Sequence, residues 1–344
     1  MTARAQSNHG SHEDHVLVSG VNWLGDAVMS MPALRLFKRE RPGCRLTLLV
    51  KARMAELWRI ADSVDEVVPY EPGLGGTIGA ARHIRGAGCC RAYVLPNSFR
   101  SALIPFLGRI PIRIGVGTQL RSALLTETLS PASSGRHQAF EYLRVLGLDQ
   151  PDEGLPPPKL SLPQQEIDHA RQRLPPHENG TRWLGIVPGA ARGPSKRWPP
   201  EHFIALGRAL GRHEAGQILV FGSSVEVGLC GQIADAIGGE AVSMAGETTI
   251  PQLAALLGMC ATVVTNDSGG MHLAAAAGAR VVAVFGLTDP SRTGPLGEGH
   301  RVIAKQDVQA SRDIRRRSDA AAACLRSIPP DRVLEAVLEV LGEK

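Results

Sequence analysis

The sequence predicts an α/β protein made of two successive doubly wound parallel sheets. Short β-branched runs alternate with helix-like segments along most of the chain, the order that produces parallel sheets covered by helices. The strand-like runs are largely apolar, as in strands buried on both faces. The alternation is broken once, at 150–163 (QPDEGLPPPKLSLP), where five prolines and little periodicity indicate an extended linker.

The chain's 344 residues suffice for two domains, each with its own core. Apolar content of 43% and charged content of 21% are those of a globular protein, and the 4% aromatic content favours α/β layers over a β-sandwich. No apolar run approaches 18 residues, so no transmembrane helix is expected. Residues 1–14 are polar, lack the apolar segment of a signal peptide, and are expected to form a disordered tail. His9, His12 and His15 are expected to be solvated rather than metal-bound. The six cysteines (Cys44, Cys89, Cys90, Cys230, Cys260, Cys324) show no CxxC pairing and read as reduced thiols, several of them in the core.

Residues 1–150 hold 18 Lys and Arg against 12 Asp and Glu; the remainder holds 20 against 21. A basic first half suits an anionic substrate or an anionic surface, or is simply solvated charge. Nucleic acid is disfavoured, because the arginines are dispersed and lack interleaved aromatics.

In the first half, Val16–Ser19 is a buried strand, Gly20–Asp26 a glycine-containing loop, and Ala27–Arg39 a helix in which Pro32 fits only in the first turn. Arg45–Val50 is the next strand and Met54–Ile60 the next helix. Glu66–Pro69 is a third strand, and the glycines from Gly73 to Gly79 open a segment ending in helical Ala80–Arg85. Arg91–Pro96 is a fourth strand with Asn97-Ser98-Phe99-Arg100 at its carboxyl end. Beyond the linker, Gln164–Arg173 is a helix. Trp183–Pro188 is a strand leading into the loop Gly189–Pro199, then helix Glu201–Arg212 and strand Gln217–Phe221. Ile250–Cys260 is a helix, Ala261–Thr265 a strand, and His272–Ala277 a helix. Val281–Phe285 is a strand, and Pro330–Leu341 an amphipathic helix with Val333, Leu334, Val337, Leu338 and Leu341 on one face.

Four strand ends in the second half carry turn or polar residues: Gly189–Lys196, Gly222–Glu226, Asn266–Gly270 and Gly286–Asp289. In a parallel sheet all four meet at one edge, where ligands of open α/β sheets bind. VVTNDSGGMHLAAAA at 263–277 combines a strand, a Ser/Gly turn and a new helix N-terminus, an arrangement suited to an anion. A helix end contributes about 0.3–1 kcal/mol, up to about 2 when partly buried, whereas catalysis needs about 8 kcal/mol or more. The turn therefore needs Lys196 as a full charge, His272 and substrate positioning beside it. Glu226 could accept hydrogen bonds from ribose hydroxyls or simply start a helix. Asp26 could be a helix N-cap or a general base facing the cleft. Asn97, Ser98 and Arg100 could contact a polar acceptor or form a buried turn. GxGxxG, GxxxxGK[ST] and GxSxG are all absent, which argues against dehydrogenase, P-loop and α/β-hydrolase chemistry.

Five ordered blocks, NWLGDAVMSMPAL (22–34), YVLPNSFRSALIPF (93–106), PGAARGPSKRWP (188–199), FGSS (221–224) and TNDSGGMHLAAA (265–276), resemble the ADP-heptose:lipopolysaccharide heptosyltransferases of glycosyltransferase family 9. The likeness runs from residue 15 to the chain's end and leans to the heptosyltransferase II branch through NWLGD, LPNSFRSAL and PGAARGPSKRWP. It implies a GT-B fold, two Rossmann-like domains facing an interdomain cleft. The expected division is 15–150 for the acceptor domain, 151–163 for the linker and 164–344 for the donor domain. It also implies inverting transfer of L-glycero-D-manno-heptose from ADP-heptose to the first heptose of the lipopolysaccharide inner core, without a cofactor or bound metal. Asp26 matches the family's catalytic base, Lys196 the donor-diphosphate lysine, and Glu226 falls near the ribose-contacting acid. Asp267, Ser268, Gly269 and His272 match its D-[ST]-G-x-x-H phosphate loop.

Two features depart from the family pattern. Ala191 stands where a polar residue is expected before the lysine, and Gln306–Ala323 lacks the usual pattern ahead of Cys324-Leu325. The expected partners are ADP-heptose and a heptosyl-Kdo2-lipid A type acceptor. The expected location is the cytoplasm, with peripheral contact at the inner membrane. Two alternatives stay open: a family member with another nucleotide-sugar or acceptor, and a catalytically silent nucleotide-binding protein.

Overall fold

The computed structural model describes residues 15–118, 120–131, 135–151, 154–175, 182–213, 216–239, 241–305 and 317–342. The proposed tail, with His9 and His12, and residues 306–316 of the departing segment lie outside that set.

Two six-stranded, all-parallel sheets form the framework. The first contains β1 (His15–Ser19), β2 (Arg45–Lys51), β3 (Glu66–Tyr70), β4 (Arg91–Val94), β5 (Ile112–Val116) and β6 (Glu127–Leu129), in the spatial order β3-β2-β1-β4-β5-β6. The second contains β7 (Trp183–Val187), β8 (Gln217–Val220), β9 (Val242–Ser243), β10 (Cys260–Asn266), β11 (Val281–Phe285) and β12 (Arg301–Ala304), in the order β12-β11-β10-β7-β8-β9. Both are doubly wound, with order reversing between β1 and β4 and between β7 and β10. Crevices open at those points beyond the carboxyl ends of the strands. β7, β8 and β11 are buried along their whole length, as their unbroken apolar runs require. Pro69 is tolerated because β3 is an edge strand, where a missing N–H costs no inner ladder bond.

The helix after β1 spans Leu24–Glu40 and keeps Pro32 in its interior, not in its first turn. A proline there costs about 3 kcal/mol in an isolated helix. This helix offsets that by burying an unbroken run, Ala27 to Leu34, in the core, with helices Ala139–Val145 and Gly269–Ala276 packed against it. His15 is likewise not solvated: as the first residue of β1 it is half-buried, with Nδ1 2.9 Å from the Ala87 carbonyl and Nε2 2.8 Å from Thr47 Oγ1. β5, β6, β9, β12 and the helices Phe99–Leu107, Ala139–Val145, Val227–Ile237 and Asp319–Arg326 went unrecognised in the sequence. Most are short or end on an edge, where periodicity is weak.

Residues ahead of the second sheet run along the first. Ser161 N–H donates to the Ile60 carbonyl at 2.7 Å, and Arg35 reaches the Pro157 carbonyl at 3.2 Å. One apolar cluster continues across both halves, from the helices Leu24–Glu40 and Ala55–Arg59 to Ile250–Met259 and Gly269–Ala276. All six cysteines are free thiols, and all but Cys90 are buried.

Candidate active site

β10 delivers the loop that the sequence singles out. The helix that follows spans Gly269–Ala276, with extended Ser268 at its N-cap position. Ser268 does not cap it, and its buried Oγ has no hydrogen-bond partner among the described residues. The helix starts against β7: a Cβ on Gly270 would lie 2.7 Å from Val187 Cγ1, so only glycine fits unless the valine moves.

Asp267 is the hub of this loop. Its Oδ2 accepts from Lys196 Nζ at 2.5 Å and from Thr288 Oγ1 at 2.6 Å. The carboxylate side chain is only 7% exposed and that of Lys196 16%. The ends of β7, β10 and β11 therefore meet at one carboxylate, as the parallel edge predicts. The charge on Lys196 is not isolated, however. One of its three N–H donors is engaged with a counter-charge, so the lysine offers an anion its remaining donors rather than an unopposed cation.

Asn266 fixes the lysine loop. Its fully buried amide donates from Nδ2 to the Pro188 carbonyl at 2.7 Å and accepts from Trp198 N–H at 2.8 Å. Trp198 is buried and donates from Nε1 to the Ile328 carbonyl at 2.9 Å, while Ser195 Oγ accepts from Ser318 N–H at 2.9 Å. Lys196, on the short turn Pro194–Lys196, is thus held on both sides.

His272 is buried, and that burial pushes its pKa down to about 4. The Asp267 carboxylate opposes the shift; His137 and Lys196 reinforce it. The ring therefore enters the site neutral, as a donor or acceptor and not as a charge.

Asp26 is the third residue of helix Leu24–Glu40, whose N-cap is Trp23, so the N-cap reading does not hold. Its Oδ1 accepts from Gln138 Nε2 at 3.0 Å. This helix N-terminus abuts that of Gly269–Ala276: a Cβ on Gly25 would lie 2.8 Å from His272 Cδ2, and one on Gly269 would lie 2.8 Å from Leu24 Cβ. Two positive helix ends meet here, one carrying Asp26 and the other preceded by Asp267 and Ser268, an arrangement favouring negative charge between them.

Glu226 reaches the same sheet edge from β8. Its Oε2 accepts from Ser223 N–H at 3.0 Å and Ser223 Oγ at 2.7 Å, a capping box, and its Oε1 lies 3.6 Å from Arg197. The carboxylate rests on Gly189, where any Cβ would overlap it. Glu226 therefore starts the helix as one of the two readings expects, but its side chain is only 13% exposed, at a position still on the ligand edge.

Asn97, Ser98 and Arg100 lie at the carboxyl end of β4 in the first sheet. All three are exposed, so they do not form a buried turn, although Ser98 Oγ caps helix Phe99–Leu107 by accepting from Ser101 N–H at 3.3 Å. Arg100 lies near two cations that the sequence did not single out, Lys51 and Arg53. The Lys51 pKa is lowered by burial and by the neighbouring charges of Arg53 and Arg100. Thr288, Asn266 and Gln138 were also overlooked as site residues. Asn266 and Thr288 sit inside the strand-end stretches already singled out, while Gln138 carries no local signal. Among the described residues, no group of three or more His, Cys, Asp or Glu side chains is placed to hold a metal ion.

The profile of glycosyltransferase family 9 (heptosyltransferase) matches residues 80–323. The chain belongs to that family. Lipopolysaccharide heptosyltransferase 2 of Salmonella typhimurium is 33% identical, the alignment covering 96% of this chain and 99% of that one. The structure of the Escherichia coli ADP-heptose lipopolysaccharide heptosyltransferase II superposes with a TM-score of 0.82 at 30% identity, over 95% of this chain and 98% of that one. A family 9 glycosyltransferase from Veillonella parvula shares the fold, with a TM-score of 0.83 at 21% identity over 98% and 99% of the two chains. The family 9 enzyme described here is thus a GT-B glycosyltransferase. Among its described residues no helix is long and apolar enough to cross a membrane.

Proposed function

We propose that this family 9 enzyme transfers L-glycero-D-manno-heptose from ADP-heptose to the first heptose of the lipopolysaccharide inner core, with inversion at the anomeric carbon. The reading is carried by the junction of the two helix N-termini, where Gly25 meets His272. It puts the Asp26 helix end beside the Asp267–His272 loop. The names of full-length relatives, lipopolysaccharide heptosyltransferase 2 and ADP-heptose lipopolysaccharide heptosyltransferase II, support the donor and acceptor.

Residues 164–344 form the donor domain in this reading, residues 15–150 the acceptor domain, and residues 151–163 the linker. The donor diphosphate lies at the N-terminus of helix Gly269–Ala276, taking the free amides, the Ser268 hydroxyl and the remaining donors of Lys196. Glu226 faces the ribose. Asp26 removes the proton from the acceptor hydroxyl as that oxygen attacks the anomeric carbon, and ADP leaves with its growing charge held by the loop. A carboxylate is a weak base, so it acts chiefly as the hydroxyl becomes acidic in the transition state. Neutral His272 lends a hydrogen bond and no net charge. Arg100, with Lys51 and Arg53, draws in the anionic groups of a heptosyl-Kdo2-lipid A type acceptor, and Asn97 and Ser98 offer hydrogen bonds. Such an acceptor places the enzyme at the cytoplasmic face of the inner membrane.

Mass spectrometry of a reaction containing ADP-heptose and mono-heptosylated core tests the reading, with one added heptose expected. Asp26→Asn should fold and bind ADP yet lose about 10²–10⁴-fold in turnover. Near-normal turnover of that variant removes Asp26 as the base, and transfer from another nucleotide-sugar alone overturns the donor assignment.

A further inference from the structure

Gln138 makes contacts in three directions. Its side-chain Nε2 donates to Asp26 Oδ1 at 3.0 Å and to the Tyr142 hydroxyl at 2.7 Å, which commits both amide hydrogens. Its backbone N–H crosses to the other half of the molecule and donates to the Arg292 carbonyl at 2.9 Å. The preceding residue makes the same crossing. His137 Nδ1 accepts from Ala139 N–H at 3.2 Å, so the ring proton resides on Nε2, which donates to the Gly294 carbonyl at 3.1 Å. Arg292 also lies 3.5 Å from Glu141. Segment 137–142 is therefore bound to Arg292–Gly294 of the second half, and the same segment holds the Asp26 carboxylate.

A carboxylate that must meet an attacking hydroxyl gains from being held in one orientation, since small misplacements of reacting groups cost rate steeply. Donation from a neutral amide also favours the ionised form, which is the form a base needs. We propose that Gln138 is the positioning residue for Asp26 and that docking of the two halves sets it. The Arg292 carbonyl fixes the Gln138 backbone, Tyr142 fixes one amide hydrogen, and the other orients Asp26. The base is thereby aligned when the half that carries the donor loop is docked. This inference rests on the reading of Asp26 as the base.

Gln138→Leu keeps the side chain's approximate size and adds no charge. Assayed with ADP-heptose and mono-heptosylated core, it should lower kcat about tenfold or more, as loss of a hydrogen bond to a charged group does. ADP affinity, measured calorimetrically, should stay unchanged. The acid limb of the kcat–pH profile should move to higher pH, because the carboxylate loses a donor. In an Asp26→Asn background the same substitution should cause no further loss. Tyr142→Phe, which keeps the buried ring, should lower kcat in the same direction by less, and it carries the test if Gln138→Leu does not fold. An unchanged kcat and acid limb in Gln138→Leu, or an equal proportional loss in the Asp26→Asn background, overturns the proposal. If Asp26→Asn is inactive while Gln138→Leu behaves as wild type, positioning alone fails. If Asp26→Asn turns over normally, the assignment of the base fails and takes the positioning role with it.

Discussion

Gly25 and His272 belong to opposite halves of the protein and touch through the space where a side chain would otherwise stand: a Cβ on Gly25 would approach His272 Cδ2 to 2.8 Å. The His272 ring is buried, so it has little room to withdraw. This contact lets the first turn of helix Leu24–Glu40 reach the start of helix Gly269–Ala276, and it sets the spacing between Asp26 and the Asp267–His272 loop.

Gly25→Ala should therefore destabilise the docked arrangement. Alanine gains up to about 1 kcal/mol of helix propensity over glycine, less in a first turn. Overpacking a buried contact costs about 1–3 kcal/mol, so the clash should prevail. The expected outcome is a lower thermal midpoint together with a loss of kcat. A midpoint at or above that of the wild type would show that the two helix ends tolerate separation.

The pair of Lys196 and Asp267 predicts a separation of stability from binding. Lys196→Ala leaves the buried carboxylate with Thr288 as its remaining side-chain donor among the described residues, at a cost of about 3 kcal/mol, the lower end for breaking a buried pair. ADP affinity should fall as well. Adding Asp267→Asn removes the stranded charge, so the double variant should recover much of the thermal midpoint and none of the ADP affinity. Recovery of both would assign the lysine a purely structural role.

Stability should fall on mild acidification. The folded-state pKa of His272 is pushed down to about 4 from an ordinary 6.5, and that of His137 is also lowered by burial, partly offset by its bond to the Gly294 carbonyl. Both groups bind fewer protons when folded than when unfolded, so their contribution is complete above about pH 6.5 and declines as pH falls toward 4. Thermal midpoints measured from pH 7.5 to 4.5 should decline, and His272→Gln should flatten the curve. An identical slope in that variant would remove His272 as a source of the effect.

Much of the fold was legible along the chain. The helix Pro330–Leu341 has the bounds its apolar stripe predicts, because amphipathic period is a local property. The strand ends bearing Lys196, Glu226 and Asp267 were legible for the same reason: an apolar run that stops at Gly, Ser, Asn or Asp announces a turn. Pro32 misled because a proline's local cost is visible in sequence, whereas the buried face that offsets it is not. Glu226 stayed ambiguous because a capping box and a ribose contact place the same residue at the same helix start.

The sequence by itself determined the alternation of strands and helices and which residue types stand at the carboxyl ends of the strands. Only the tertiary structure decided what those residues do to one another. Lys196 meets Asp267 across 71 positions of chain and Gln138 meets Asp26 across 112. Local patterning carries no record of such distant pairings, because they arise from sheet order and the docking of the two halves. The neutrality of His272 has the same origin: the burial that removes its charge is a product of tertiary packing, which includes its contact with Gly25 of the opposite half.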